Sequence, residues 1–147
     1  MGNLGVVSIG QGKDTLLQVP TPPKYLTDSA KKHYKFMGNI LAKNDRLKET
    51  YLNALEIYAE AMAQFQFALE AIKTKNKAKF GTGYIQTFAS GASNISTELT
   101  LRNDAQDTLM KCFKIFGLDP KSDKELKGAG DPAQTSLFDE LMKLKKG

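Results

Sequence analysis

Tyr51, Leu55, Tyr58, Met62, Phe65, Leu69 and Ile72 follow one another at intervals of four, three, four, three, four and three residues. That spacing lines up apolar side chains on one stripe of a helix; a strand, with its period of two, does not produce it. A second stripe, Ala54, Ile57, Ala61 and Ala68, runs beside the first. Between Thr50 and Ile72 the only charged residues are Glu56, Glu60 and Glu70. The pattern predicts a long helix from about Leu47 to Ile72, with Asn44-Asp45 as the turn and cap before it. A helix of about 26 residues is roughly 39 Å long. One stripe covers the chain's own core, and two call for a further neighbour, in the chain or in another subunit. Length and double stripe together favour an oligomer, with Tyr51, Leu55, Tyr58, Met62, Phe65 and Leu69 as the expected subunit contact.

Other elements arrange themselves around this helix. Leu26, Ala30, Tyr34, Met37 and Leu41 recur at helical spacing, so a first helix is expected from about Thr27 to Lys43, capped by Thr27 or Asp28. After Ile72 the chain turns glycine-rich. Tyr84 to Phe88 and Asn94 to Thr97 are short β-prone runs around Ala89-Ser90-Gly91-Ala92-Ser93, which reads as a small hairpin. A third helix follows from about Glu98 or Leu101 to Phe116, with Leu101, Ala105, Leu109, Cys112 and Phe116 on one face. Phe116-Gly117-Leu118-Asp119-Pro120 is a helix stop. Gly117 can take the left-handed conformation, Leu118 folds back on the last turn, and Pro120 forbids resumption. The expected fold is mainly α: about three helices with a long central one and a hairpin insert between the second and third.

The expected organisation has three parts. Residues 1–23, low in charge and ending in Pro20-Thr21-Pro22-Pro23, form a flexible N-terminal arm. Residues 24–120 form the helical core. Residues 121–147 are a polar linker and a short amphipathic tail, whose Leu137, Phe138, Leu141 and Met142 suit docking onto another protein or back onto the core.

Catalytic chemistry is hard to place on this chain. His33 is the sole histidine and Cys112 the sole cysteine. They allow no internal disulfide and leave no nucleophile–histidine set or zinc ligand set to recognise. Cys112 falls on the apolar side of a helix and is expected to be a buried, inert thiol. Gly81-Thr82-Gly83 is not followed by the Gly-Lys-Ser/Thr of a phosphate loop. No cofactor, metal or catalytic residue is expected, and no membrane span or signal peptide.

What stands out instead is positive charge: +5 overall, with a pI of about 9.2. Lys24, Lys31, Lys32, Lys35 and Lys43 gather on or beside the first helix. Lys73, Lys75, Lys77 and Lys79 follow the second, as dipole-neutralising residues or as an anion-binding loop. Both groups are candidate phosphate contacts, and any DNA binding through them should be largely electrostatic and salt-sensitive.

The order of these parts resembles the small subunit of tailed-bacteriophage terminase, in its short α-helical branch. The resemblance runs from Pro22-Pro23-Lys24-Tyr25-Leu26 to Ser122. It includes Tyr34 in the first helix, Tyr51 and Tyr58 in the long helix, the insert Gly83-Tyr84-Ile85-Gln86-Thr87, and the closing Phe116-Gly117-Leu118-Asp119-Pro120-Lys121-Ser122. The family often has tryptophan at the position of Tyr34 and arginine at that of Asp123. The resemblance implies a non-enzymatic homo-oligomeric ring in the host cytoplasm, outside the mature virion. Such a ring binds double-stranded viral DNA and loads it onto the large terminase subunit, which supplies ATPase and nuclease. The tail would then engage the large subunit. Two other readings stay open: a helical oligomeric scaffold or adaptor that binds only protein, and a monomeric regulator with a basic DNA-contacting helix.

Overall fold

The computed structural model describes residues 9–10 and 15–119. Two short antiparallel strands, β1 (Ile9–Gly10) and β2 (Thr15–Leu16), precede the helices α1 (Asp28–Lys43), α2 (Leu52–Ala78) and α3 (Thr97–Ile115). Between α2 and α3 stands the antiparallel hairpin of β3 (Ile85–Thr87) and β4 (Ser93–Ile95), with Ile85 opposite Ile95. This is the mainly helical fold with an inserted hairpin that the sequence predicts. The linker and tail expected over 121–147 lie outside the described residues.

α1 starts where the Thr27 hydroxyl accepts the Ala30 amide at 3.1 Å, which satisfies one orphan donor of the first turn. Its expected face is buried, including Ala30, Tyr34, Met37 and Leu41. α2 and α3 are antiparallel. Lys75 meets Glu98, Phe65 meets Arg102, Tyr58 meets Phe113 and Tyr51 meets Phe116, so one index falls as the other rises. α1 packs across α2, closing a core that contains Leu55, Tyr58, Leu109 and Phe116.

The structure moves both ends of the long helix. A 3-10 turn, Glu49–Tyr51, leads into α2, which begins at Leu52 rather than Leu47. Leu47 is fully buried in extended chain, where its carbonyl accepts the Leu16 amide at 2.6 Å and Lys48 bridges to Thr15. A backbone committed to β2 cannot also wind into a helix. Asp45 takes a positive φ of 56° in the turn, and Asn44 caps the end of α1 by donating to the Ile40 carbonyl at 2.8 Å. At the far end α2 continues to Ala78, so Lys73, Lys75 and Lys77 are helical residues. The N-terminal side changes too. Residues 15–23, expected within a flexible arm, lie against the core: Leu16 is buried and Val19 packs on the cluster.

The stop at Gly117 forms as expected, with φ at 72°. The Leu118 amide donates to the Phe113 carbonyl at 2.8 Å and the Gly117 amide to Lys114 at 3.0 Å, the paired bonds of a Schellman cap. What the sequence conceals is the partner of this cap. Arg46, only 6% exposed, donates from one guanidinium nitrogen to the carbonyls of Phe116 at 2.9 Å and Gly117 at 2.6 Å. A cation on the last carbonyls of a helix satisfies orphan acceptors and opposes the dipole.

Arg46→Ala should therefore cost about 3 kcal/mol, since it strands buried carbonyls as well as removing a charged hydrogen bond. Gly117→Val should cost about 1 kcal/mol or more, because a β-branched residue resists positive φ. Urea unfolding of both variants checks the order. Alkaline stability offers a separate test. Burial pushes the Tyr34 hydroxyl up to about 12, with Glu56 adding to the shift, and burial pushes Tyr58 higher still. Above about pH 10 the unfolded chain loses protons that the folded chain keeps, so stability should fall with pH. The fall should be about 1.4 kcal/mol per pH unit per tyrosine up to about pH 12, measured by urea melts.

Candidate nucleic-acid interface

The end of the molecule where α2 meets the hairpin is built by short polar residues. The Asn76 side-chain oxygen accepts the amides of Gly81 at 3.0 Å and Gly83 at 2.9 Å, turning the chain back over the last helical turns. A β-carbon on Gly83 would stand 2.5 Å from the Ile72 carbonyl oxygen, so only glycine lets the hairpin pass so close to α2. Ser96 completes the clamp. Its hydroxyl donates to the Gly83 carbonyl at 2.7 Å and accepts the Leu99 amide at 3.0 Å, tying the hairpin base to the first turn of α3. The hairpin is thus seated on both helices it connects.

The segment that builds this end carries charge of one sign. From Ala71 to Thr97 the chain carries Lys73, Lys75, Lys77 and Lys79 and no aspartate or glutamate. All four lysines are exposed. The Lys75 ammonium contacts the Glu98 carboxylate at 3.0 Å and holds that carboxyl below its usual range. Lys73 and Lys77 are one turn apart on a different face of α2, and Lys79 caps its end with its amide on the Lys75 carbonyl at 3.0 Å. The turn and hairpin that follow also expose apolar side chains: Phe80 is 81% exposed, and Tyr84, Ile85, Phe88 and Ile95 are exposed too.

The lysines of α1 form a separate group. α1 has 16 residues, about 24 Å, between Lys24 before it and Lys43 at its end. His33 contacts Gln66 of α2 at 2.9 Å, and Lys73 and Lys77 lie on the same face of α2 as Gln66, two and three turns on. Lys31 and Lys35 are each two residues from His33, so they point to roughly the opposite side of α1. They share a flank with Thr27, whose amide donates to Glu60 at 3.2 Å, while the Tyr25 hydroxyl donates to Glu56. Glu56 and Glu60 thus meet the start of α1. Lys32 points outward and is exposed. Lys73 and Lys77 share one face of α2, Lys79 follows Lys75 one turn on, and the α1 lysines form a separate group.

The seam expected as a subunit contact is placed mostly inside the chain. Leu55 is fully buried and Tyr58 nearly so, while Tyr51, Met62 and Phe65 are partly buried against the same cluster; only Leu69 is exposed. The physical reason is that α1 and α3 both pack on α2 and consume its long stripe. The apolar surface that α2 leaves outward is Ile57 and Phe67 together with Leu69. Ile57 belongs to an open groove of about 500 Å³, lined also by Tyr25, Glu56, Glu60, Ala61 and Thr108. Leu137, Phe138, Leu141 and Met142 lie outside the described residues. Cys112 is buried, and burial pushes its thiol up. Among the described residues no cluster of histidine, cysteine, aspartate and glutamate could hold a metal ion, and no helix is long and apolar enough to cross a membrane.

Sequence reasoning finds the lysine run as a group but passes over Phe80, Tyr84 and Phe88. The signal that could have found them is the long acid-free stretch in which three aromatics, spaced among turn residues, follow four lysines. No curated protein and no solved structure matches the chain. The sequence profile described as "Phage terminase, small subunit" matches residues 30–133, which span α1, α2, the hairpin and α3. With that match over most of its length, the chain belongs to the phage terminase small-subunit family.

Proposed function

We propose that the protein is the non-enzymatic DNA-handling component of a phage packaging machine. It binds double-stranded viral DNA as a homo-oligomeric ring in the host cytoplasm and delivers it to the large terminase subunit. The observation that carries this reading is the acid-free segment 71–97 between α2 and α3, where Lys73, Lys77 and Lys79 stand exposed in a small-subunit family member. Phosphates are the natural counterions of such a surface, and their contacts position DNA without reading its sequence. Lys24, Lys31, Lys32, Lys35 and Lys43 add a second, weaker strip on α1, and Lys75 contributes less because Glu98 holds it. Repetition of weak contacts around a ring supplies the avidity.

A ring needs a heterologous contact that closes on itself. With Leu55 and Tyr58 inside the core, that contact is assigned to the outward residues of α2, Ile57, Phe67 and Leu69, and the groove beside Tyr25. The tail residues Leu137, Phe138, Leu141 and Met142 are assigned to the large subunit, since an amphipathic segment beyond a linker suits docking in a partner's groove.

Titration of duplex DNA across salt concentrations tests the DNA contact. The wild-type protein should bind at low salt with a steep log–log slope. Replacing Lys73, Lys77 and Lys79 with glutamine should reduce that slope by about 0.9 for each phosphate that is no longer neutralised. Lys31→Glu/Lys35→Glu should weaken binding by less. Absence of binding at low salt favours the protein-only adaptor instead. Separately, deleting the residues after Ser136 should leave DNA binding intact and abolish stimulation of the large-subunit ATPase; intact stimulation contradicts the tail assignment.

A further inference from the structure

The lysines account for phosphate binding at the hairpin end, but not for the rings beside them. Phe80 directly follows Lys79 and is 81% exposed, the most exposed large apolar side chain among the described residues. It is held in place: its ring meets that of Tyr84 edge-on, with centroids 6.1 Å apart and planes at 86°. The turn that carries both rings is fixed by Asn76, which accepts the amides of Gly81 and Gly83. An edge-to-face partner supports the ring without covering it, so an aromatic face remains open to solvent. A phenyl group exposed to this degree is unfavourable in water unless something covers it.

The surroundings select what that is. Within the 71–97 stretch every charge is positive, and the neighbouring Glu98 is paired with Lys75, so an acidic or polyanionic partner is favoured and a basic one repelled. A partner that combines negative charge with flat aromatic faces is nucleic acid, and base stacking on aromatic side chains is sequence-tolerant because every base has a π-face.

We infer that the hairpin end grips DNA by two independent contacts: phosphates on Lys73, Lys77 and Lys79, and an exposed base face on the Phe80–Tyr84 pair. This rests on the DNA-binding reading above and adds to it. Bases offer their faces only where the stack is opened, so the protein should prefer DNA with unpaired or kinked steps over a uniform duplex. The lysines then set the salt dependence, and the ring sets the preference for opened DNA.

The test uses the full-length chain with two probes, a fully paired duplex and the same duplex carrying a short unpaired bubble. The variants are Phe80→Ala and Phe80→Trp. Because the chain has no tryptophan, the second also introduces a single fluorescent reporter. Wild type should bind the bubble more tightly than the duplex. Phe80→Ala should weaken binding of the bubble about 10-fold and that of the duplex little, with an unchanged salt slope. Phe80→Trp should keep the preference, and its indole emission should be quenched at saturation by the bubble probe. Circular dichroism and solution mass of the variants should match wild type, since the ring is outside the core. Equal binding of the bubble by wild type and Phe80→Ala, with an unquenched indole, overturns the stacking contact while leaving phosphate binding on the lysines standing. A changed oligomer mass in Phe80→Ala with unchanged DNA binding overturns it too, and marks the ring as a subunit contact. Failure of wild type to bind either probe at low salt removes the DNA-binding reading itself.

Discussion

One guanidinium ties the α1–α2 turn to the end of α3. Arg46 leaves the turn after α1 and donates to the last carbonyls of α3 at Phe116 and Gly117, some 70 residues further along the chain. A buried cation there is costly unless its hydrogen bonds are met, and the Schellman cap supplies acceptors in a fixed place. The α1–α2 turn is thereby fixed to the end of α3, with Tyr51 and Phe116 packed beside it. At the opposite end, Asn76, Gly83 and Ser96 fix the hairpin to α2 and α3. With the helical pair pinned at both ends, exposure of the hairpin end follows from its place in the fold.

Much of that fold is legible in the sequence because its signals are local. The Thr27 cap, the buried face of α1, the hairpin and the Gly117 stop each depend on residues within a few positions of one another. The misplaced boundaries share another cause. Leu47 continues the apolar periodicity four residues before Tyr51, but its backbone is taken by Leu16, 31 positions earlier in the sequence. Lys73 to Ala78 contain no strong helix breaker, so α2 runs on until the turn whose Gly81 has φ at 97°. Periodicity also shows that a face is apolar without showing what covers it. The seam of Leu55 and Tyr58 fits a subunit contact or an internal core equally well, and packing by α1 and α3 decides for the core. Arg46, in sequence, is simply a basic residue in a turn.

The site follows the same division. Counting lysines finds both basic groups, yet it takes the helical angles to separate them. Lys31 and Lys35 lie on the side of α1 away from His33, which meets Gln66, whereas Lys73 and Lys77 share the Gln66 face of α2 within an acid-free stretch. The relation of Phe80 to Tyr84 depends on a turn held by the Asn76 side chain, which no spacing rule reveals. A family match over residues 30–133 gives these features a common context in phage DNA packaging.

Amide hydrogen exchange of the whole protein, with and without duplex DNA at low salt, tests the placement of the DNA contact most directly. DNA should slow exchange at residues 73–88, with smaller effects around Lys31 and Lys35 and none along the Glu56–Glu60 face of α2. Protection confined to the Glu56–Glu60 groove, with residues 73–88 exchanging as in the free protein, would contradict a DNA grip at the hairpin end.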